Sequence, residues 1–361
     1  MKLYIRELRE QAGMTQKELA DRMQVSFQTI SKWETGVNLP DITHLPRLAD
    51  VFGVSADVIL GLEAFDKKFS QTRYDSSEYW NENRELIKMW KTMYWNDDYF
   101  EFLVHKVWKL DRPLDVLDFG CGYGFLGRKL LPLLPEGSSY SGIELDKGQI
   151  QEAIKYFKKN GYKHEFFHEN IYEYRPQKKY DFVVALFCMS YMQQPEKVIE
   201  KMKESLRPGG MLLLIDANLE VEQAGYFSGL EREENGTKCP DFLPLWEYEM
   251  DHKQRDYRMA TKLPYLLKKC GLKHIQARLS DQVIIYEPSD PKKDEMNTIF
   301  RYVYEHEDTY QSGVNYFVSR GCSLQKASEY KAYYDKTREY FDIEDSIAVK
   351  SSGIYFVYAT I

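Results

Sequence analysis

The chain has little cysteine, no long apolar run and no surplus of positive charge. Its five cysteines, at 121, 188, 239, 270 and 322, lie far apart with no CxxC pair. That spacing supports neither a disulfide framework nor a zinc site, so no metal is expected and a reducing cytoplasm is. The longest apolar stretch, Phe182–Met189, falls well short of the roughly 20 residues a membrane helix needs. Met1–Glu10 is charged and amphipathic rather than a secretory signal, so no membrane partner is expected. Net charge is −7 over 361 residues, and residues 1–62 hold seven Lys and Arg against eight Asp and Glu. An acidic body is poorly suited to gripping nucleic acid as a substrate. What the chain does have is aromatic mass, 28 Tyr and 19 Phe, which argues against disorder and for sizeable cores.

Residues 1–62 read as five short helices. The first spans Leu3–Ala12 and stops at Gly13. Thr15 opens the second, with Glu18 three residues on in capping-box spacing. Ser26 caps the third, which turns Ile30 and Trp33 inward. Leu45, Leu48, Ala49 and Phe52 stripe the fourth, and Ser55 caps a last turn through Leu60. With Ile30 and Trp33 buried, helical geometry turns Phe27, Gln28, Ser31 and Lys32 outward. Gln28 suits a bidentate contact to adenine, and Thr29 or Ser31 a phosphate or a thymine methyl. Gln16 would offer its amide to a phosphate.

The run Thr15-Gln-Lys-Glu-Leu-Ala, Val25-Ser, Thr29-Ile-Ser-Lys-Trp-Glu-Thr-Gly36, Leu39-Pro-Asp41 and Leu48 to Ser55 closely resembles the Cro/C1-type (XRE) helix-turn-helix family. The resemblance implies a double-stranded DNA operator, a homodimer on a near-palindrome and a role in transcription regulation. Its contact residues would be Gln16, Ser26, Phe27, Gln28, Thr29, Ser31 and Lys32. Phe27, where relatives often carry a polar or basic residue, and Pro46, tolerable only in a first helical turn, depart from the pattern. A small helical domain used for protein contacts is the other reading, and the near-neutral charge favours it mildly.

Residues 63–76 are charged and polar, a plausible linker. Residues 77–112 form a helical prelude rich in Tyr and Trp, either a lid over a ligand or a helix pair packed on the main domain. Asn96-Asp97-Asp98-Tyr99 is its most site-like piece. From Leu114 strands and helices alternate: Leu114–Phe119, Tyr140–Glu144, Glu165–His168, Tyr180–Leu186 and Met211–Asp216 read as strands, with Pro132 bending the first helix early. This is the pattern of a doubly wound parallel sheet, whose ligands sit beyond the strands' carboxyl ends. There stand Gly120, Gly122 and Gly124, the acids Asp118 and Glu144, and Asn170. Gly122-x-Gly124-x-x-Gly127 also fits a dinucleotide fingerprint, but a lone match decides little. Asp118 would face a pyrophosphate unfavourably and would welcome a cationic amino group. S-adenosylmethionine, phosphate-free and carrying an ammonium and a sulfonium, fits better than NAD.

Asp118-Phe-Gly-Cys-Gly-Tyr-Gly124, Gly142-Ile-Glu144-Leu-Asp146, Glu169-Asn170-Ile171 and Leu206-Arg-Pro-Gly-Gly210 resemble the successive motifs of class I S-adenosylmethionine-dependent methyltransferases. The resemblance spans Leu114 to Asp216. It implies α/β architecture: a Rossmann-like seven-stranded sheet with helical lid insertions, preceded here by the small all-α domain. In it Asp118, Gly120, Gly122 and Gly124 would hold the methionine part and Glu144 the ribose. Asn170, in place of the usual Asp, and Ile171 would hold the adenine, and Ala185 would line the pocket beyond the fourth strand.

The methyltransferase body would then run over 77–361, with a cofactor core at 113–216, a substrate or lid region at 217–350 and a last, antiparallel strand at 353–360. A roofed pocket favours a small-molecule acceptor. After the fourth strand, Leu186-Phe-Cys-Met-Ser-Tyr191 carries neither the Asn- or Asp-Pro-Pro-Tyr of base-amino methylases nor the Pro-Cys of the cytosine-C5 type. His105, His252, His306, Tyr191 and Asp281 are conceivable bases, and none stands out as catalytic. A metabolite-sensing regulator without turnover and an NAD-linked oxidoreductase are the competing readings.

Overall fold

The computed structural model describes residues 3–11, 14–52, 59–60, 83–231, 237–251, 255–306, 314–318 and 322–361. By internal packing the chain divides into two compact units. One takes in residues 1–79, 237–248 and 304–340, and the other 80–236, 249–303 and 341–361.

In the first unit, helices α1 (Ile5–Gln11), α2 (Gln16–Met23), α3 (Phe27–Glu34) and α4 (Leu45–Phe52) share a core of Ile5, Leu8, Leu19, Met23, Ile30, Trp33, Leu48 and Ile59. Each start has a local cause. Thr15 and Glu18 form the reciprocal capping box of α2, and the Ser26 hydroxyl accepts the Thr29 amide of α3. Pro46 occupies the first turn of α4, where its missing N–H costs no helical bond. The fifth helix expected from Ser55 and the stop at Gly13 lie outside the described residues. The same unit holds an aromatic stack, Phe242 on Tyr330 at 5.0 Å and Phe317 beside Tyr334 at 5.9 Å. Of residues 217–350, segments 237–248 and 304–340 fall in this unit and the rest in the other.

The second unit is built on a seven-stranded sheet of order β3-β2-β1-β4-β5-β10-β7. Its strands are β1 (Asp115–Phe119), β2 (Ser139–Glu144), β3 (Lys163–His168), β4 (Tyr180–Leu186), β5 (Leu206–Ala217), β7 (Lys273–Leu279) and β10 (Ile354–Thr360). The first five are parallel, whereas β10 enters antiparallel between β5 and β7. Central β4 is buried at every position, and edge strand β7 is mostly exposed, as doubly covered and edge strands should be. One face packs Val198, Ile199, Met202, Leu263 and Leu267 from helices Pro195–Ser205 and Met259–Lys269 onto the sheet. On the other, Trp108 meets Phe182 and Phe356 at 6.0 and 6.2 Å. Much of the aromatic prelude is thus packing.

Two features differ from expectation. Residues 207–210 lie within β5, which begins at Leu206 rather than at the expected Met211. They bulge within β5, Leu206 pairing Tyr180 and Met211 pairing Phe182, with Gly209 at φ +75°. A second sheet, β6 (Tyr226–Ser228), β9 (Ala348–Ser351) and β8 (Val283–Tyr286), arises at positions for which no strand is expected. Strands of three or four residues are too short for a period-two signal.

Candidate cofactor site

The site grows from the carboxyl end of β1. Gly120, Gly122 and Gly124 all take positive φ, at +72°, +54° and +77°, a conformation side chains resist. At Gly124 a Cβ would stand 2.7 Å from the Phe157 ring, and at Gly122 2.8 Å from the Gln149 amide oxygen. Bare backbone is therefore required, and the helix Phe125–Leu130 follows at once.

Two carboxylates face this loop. Glu144, at the end of β2, accepts the Gly122 amide at 2.9 Å with one oxygen and the amides of Leu145 and Asp146 at 2.7 and 3.0 Å with the other. Asp118 is 1% exposed. Its Oδ2 accepts the Tyr140 hydroxyl at 2.5 Å, while Oδ1 is buried with no hydrogen-bond partner. Burial pushes the Asp118 carboxyl up to about 7, opposed by the Tyr140 hydrogen bond and the Lys91 charge.

The other expected cofactor residues are placed as follows. Asn170 is half-buried, and its side-chain carbonyl already accepts the Tyr172 amide at 2.9 Å. Ile171 is buried at the core's edge. Ala185 lies inside the sheet core with its side chain fully buried, so only backbone could serve a ligand there. Phe187, just beyond β4, has φ +53° and meets Trp90 edge-on at 5.1 Å. Cys188 donates its thiol to the Phe119 carbonyl at 3.4 Å, and burial pushes that thiol well above its ordinary value, which keeps it inert.

Helix Arg84–Tyr94 brings a residue that reading along the chain does not single out. Lys91 Nζ stands 5.1 Å from the Tyr123 ring centre and 5.4 Å from that of Phe125. Burial lowers it to about 8, with Asp118 and Glu144 pulling the other way. Asn96 proves to be a cap, its carbonyl accepting the Asp98 and Tyr99 amides and its amide donating to Asp281 at 2.8 Å. Among the conceivable bases, His105 is exposed and Tyr191 lies under Arg255 at 4.9 Å. His252 and the side chain of His306 lie outside the described residues.

On α3, Phe27 is 50% exposed, Gln28 and Lys32 are exposed, and Thr29 and Ser31 are half-buried. Ser26 and Thr29 are joined hydroxyl to hydroxyl at 2.8 Å. Gln16 donates its amide to Glu34 at 2.7 Å, and Glu34 also accepts Arg9. Its side chain thus braces α2 against α3.

Comparison with known proteins matches residues 89–277 to the family described as methyltransferase domain. The chain belongs to this methyltransferase family. Residues 5–59 match the helix-turn-helix family, so a helix-turn-helix module and a methyltransferase domain share one polypeptide. The methyltransferase is similar to a ubiquinone biosynthesis O-methyltransferase of Rickettsia felis, 25% identical over 161 residues, which are 44% of this chain and 64% of that protein. Similar proteins of Rickettsia canadensis and Rickettsia conorii are matched over 50% and 49% of their length, so the chain covers less than two thirds of these relatives. The N-terminal module is similar to the HTH-type transcriptional regulator ImmR of Bacillus subtilis, 34% identical over 64 residues, 18% of this chain and 50% of that protein. A solved phosphoethanolamine N-methyltransferase 2 of Haemonchus contortus aligns at TM-score 0.45 with 14% identity, over 82% of this chain and 59% of that one. At that score the superposition adds nothing to the family match.

Proposed function

We propose that this methyltransferase moves a methyl group from S-adenosylmethionine to a small molecule in the cytoplasm, and that residues 1–62 place it as a homodimer on a DNA operator. The observation that carries the reading is Asp118, a carboxylate buried at the glycine loop with one oxygen unpartnered. A buried acid of this kind calls for a cation, and the bare backbone beside it admits a ligand closely. The residues fit the cofactor. Asp118 and the loop at Gly120, Gly122 and Gly124 would hold the amino-acid part, Glu144 the ribose, and Asn170 and Ile171 the adenine. The bound cofactor supplies an electrophilic methyl on a sulfonium. The chain's own residues align the partners and exclude water, with Phe187 and Trp90 forming a wall beyond β4.

Among the described residues no helix is long and apolar enough to cross a membrane. On α3 the exposed Phe27, Gln28 and Lys32 would enter the major groove, with Ser31 beside them. Ser26 and Thr29 would shape the helix start, and Gln16 would brace it.

Calorimetry with S-adenosylmethionine and S-adenosylhomocysteine tests the cofactor. Transfer of a labelled methyl group to a metabolite pool tests turnover. Binding without transfer would replace the enzyme by a sensor whose ligand shifts DNA affinity, and no binding at all would refute the cofactor.

A further inference from the structure

We infer that Lys91 is the counter-ion for the amino-acid carboxylate of the cofactor, reaching across the glycine loop from helix Arg84–Tyr94; this rests on the cofactor proposed above. The pocket's two acids serve other parts of the cofactor, Asp118 the ammonium and Glu144 the ribose hydroxyls. The methionine end of S-adenosylmethionine is a zwitterion, and its carboxylate would be repelled by both acids. It needs a cation within reach of the loop.

Three cations surround Tyr123, the residue between Gly122 and Gly124: Lys88 at 5.5 Å, Lys91 at 5.1 Å and Arg128 at 4.9 Å from the ring centre. Two are already committed, since Lys88 and Arg128 share Glu152 at 3.3 and 3.4 Å. Among the described residues no carboxylate lies within ion-pair distance of Lys91. Its ammonium rests on the rings of Tyr123 and Phe125, an aromatic cradle that holds a cation without neutralising it. A lysine in that state also shows a lowered proton affinity. The same helix packs Trp90 against Phe187 and donates the Tyr94 hydroxyl to Glu222. A carboxylate bound at Lys91 would therefore fix the helix that walls the far side of the pocket. Lys91 is a binding and positioning residue, with no proton to transfer.

The test pairs a change in the ligand with a change in the protein. Calorimetry at pH 7 compares S-adenosylmethionine, S-adenosylhomocysteine and decarboxylated S-adenosylmethionine, which keeps both positive groups but has no carboxylate. The wild type should prefer the carboxylated cofactor by about tenfold, the gain of one charge-assisted pair. Lys91→Met should lose about tenfold for both carboxylated ligands and bind the decarboxylated one as well as wild type or better. Lys91→Arg should recover most of the preference, which keeps the test decisive if Lys91→Met fails to fold. A preference that survives in Lys91→Met overturns the assignment, as does tighter binding of S-adenosylmethionine in that variant, which would make Lys91 a repeller of the sulfonium. A wild type that binds neither S-adenosylmethionine nor S-adenosylhomocysteine overturns the cofactor reading itself, and the assignment with it.

Discussion

Asp118→Asn should make the sheet unit more stable at alkaline pH while ruining its cofactor affinity. The Asp118 carboxyl is 1% exposed and is moved from 3.8 to about 7 in the folded chain. A displacement of that size corresponds to about 4 kcal/mol of disfavoured ionisation. Because the folded pKa lies above the unfolded one, the native state binds more protons between these values. The cost is therefore absent below pH 3.8, grows by about 1.4 kcal/mol per pH unit and is complete above pH 7. Asparagine escapes it and can still accept the Tyr140 hydroxyl, but buries an amide N–H₂ worth about 1–3 kcal/mol if unsatisfied. The variant should then exceed wild type by about 1–3 kcal/mol at pH 8 and match it or fall below it at pH 5. Urea unfolding followed by tryptophan fluorescence at both pH values measures the difference, and Trp90, Trp95 and Trp108 all report on this unit. A difference that does not change between pH 5 and pH 8 would refute the argument that burial controls this carboxyl. In the same samples the affinity for S-adenosylmethionine should fall at least tenfold, the usual trade between stability and a charged site.

Three further outcomes are expected. Gly124→Ala should cost about 1–3 kcal/mol, because the new Cβ meets Phe157 at 2.7 Å with φ at +77°; an unchanged melting temperature would show that the loop yields. Glu34→Ala should cost about 3 kcal/mol by leaving Arg9 and Gln16 without their shared partner. Hydrogen exchange should then quicken in α1–α3 and not in β1–β5, and uniform exchange would argue against it. Gln28→Ala with Lys32→Ala should abolish operator retention in a gel shift and leave cofactor heats unchanged, whereas retained binding at moderate salt would exclude α3 as the reader.

What the residues disclose in advance, and what they hide, follows from the range of each signal. The caps at Thr15 and Ser26, the apolar run Phe182–Leu186 of β4 and the glycines after β1 act over a few neighbouring residues, so order along the chain reveals them. The antiparallel entry of β10 follows instead from the family resemblance. Lys91 is hidden because a lysine on an amphipathic helix looks like any solvated charge. Only its approach to Tyr123, 32 positions on, distinguishes it, and that approach is a property of the fold. Asn96 misled for the opposite reason: a cap and a site residue share the same polar side chain. Gln16 carries the same ambiguity, since an amide at a helix start can serve a phosphate, a neighbouring glutamate or both.

The entry of β10 between β5 and β7 has a consequence during synthesis. The sheet has a gap at its sixth position until residues 354–360 leave the ribosome. The core of α1–α4 is complete some 300 residues earlier, which at about 5–20 residues per second is roughly 15–60 s. The helix-turn-helix module can therefore fold well before the methyltransferase sheet closes.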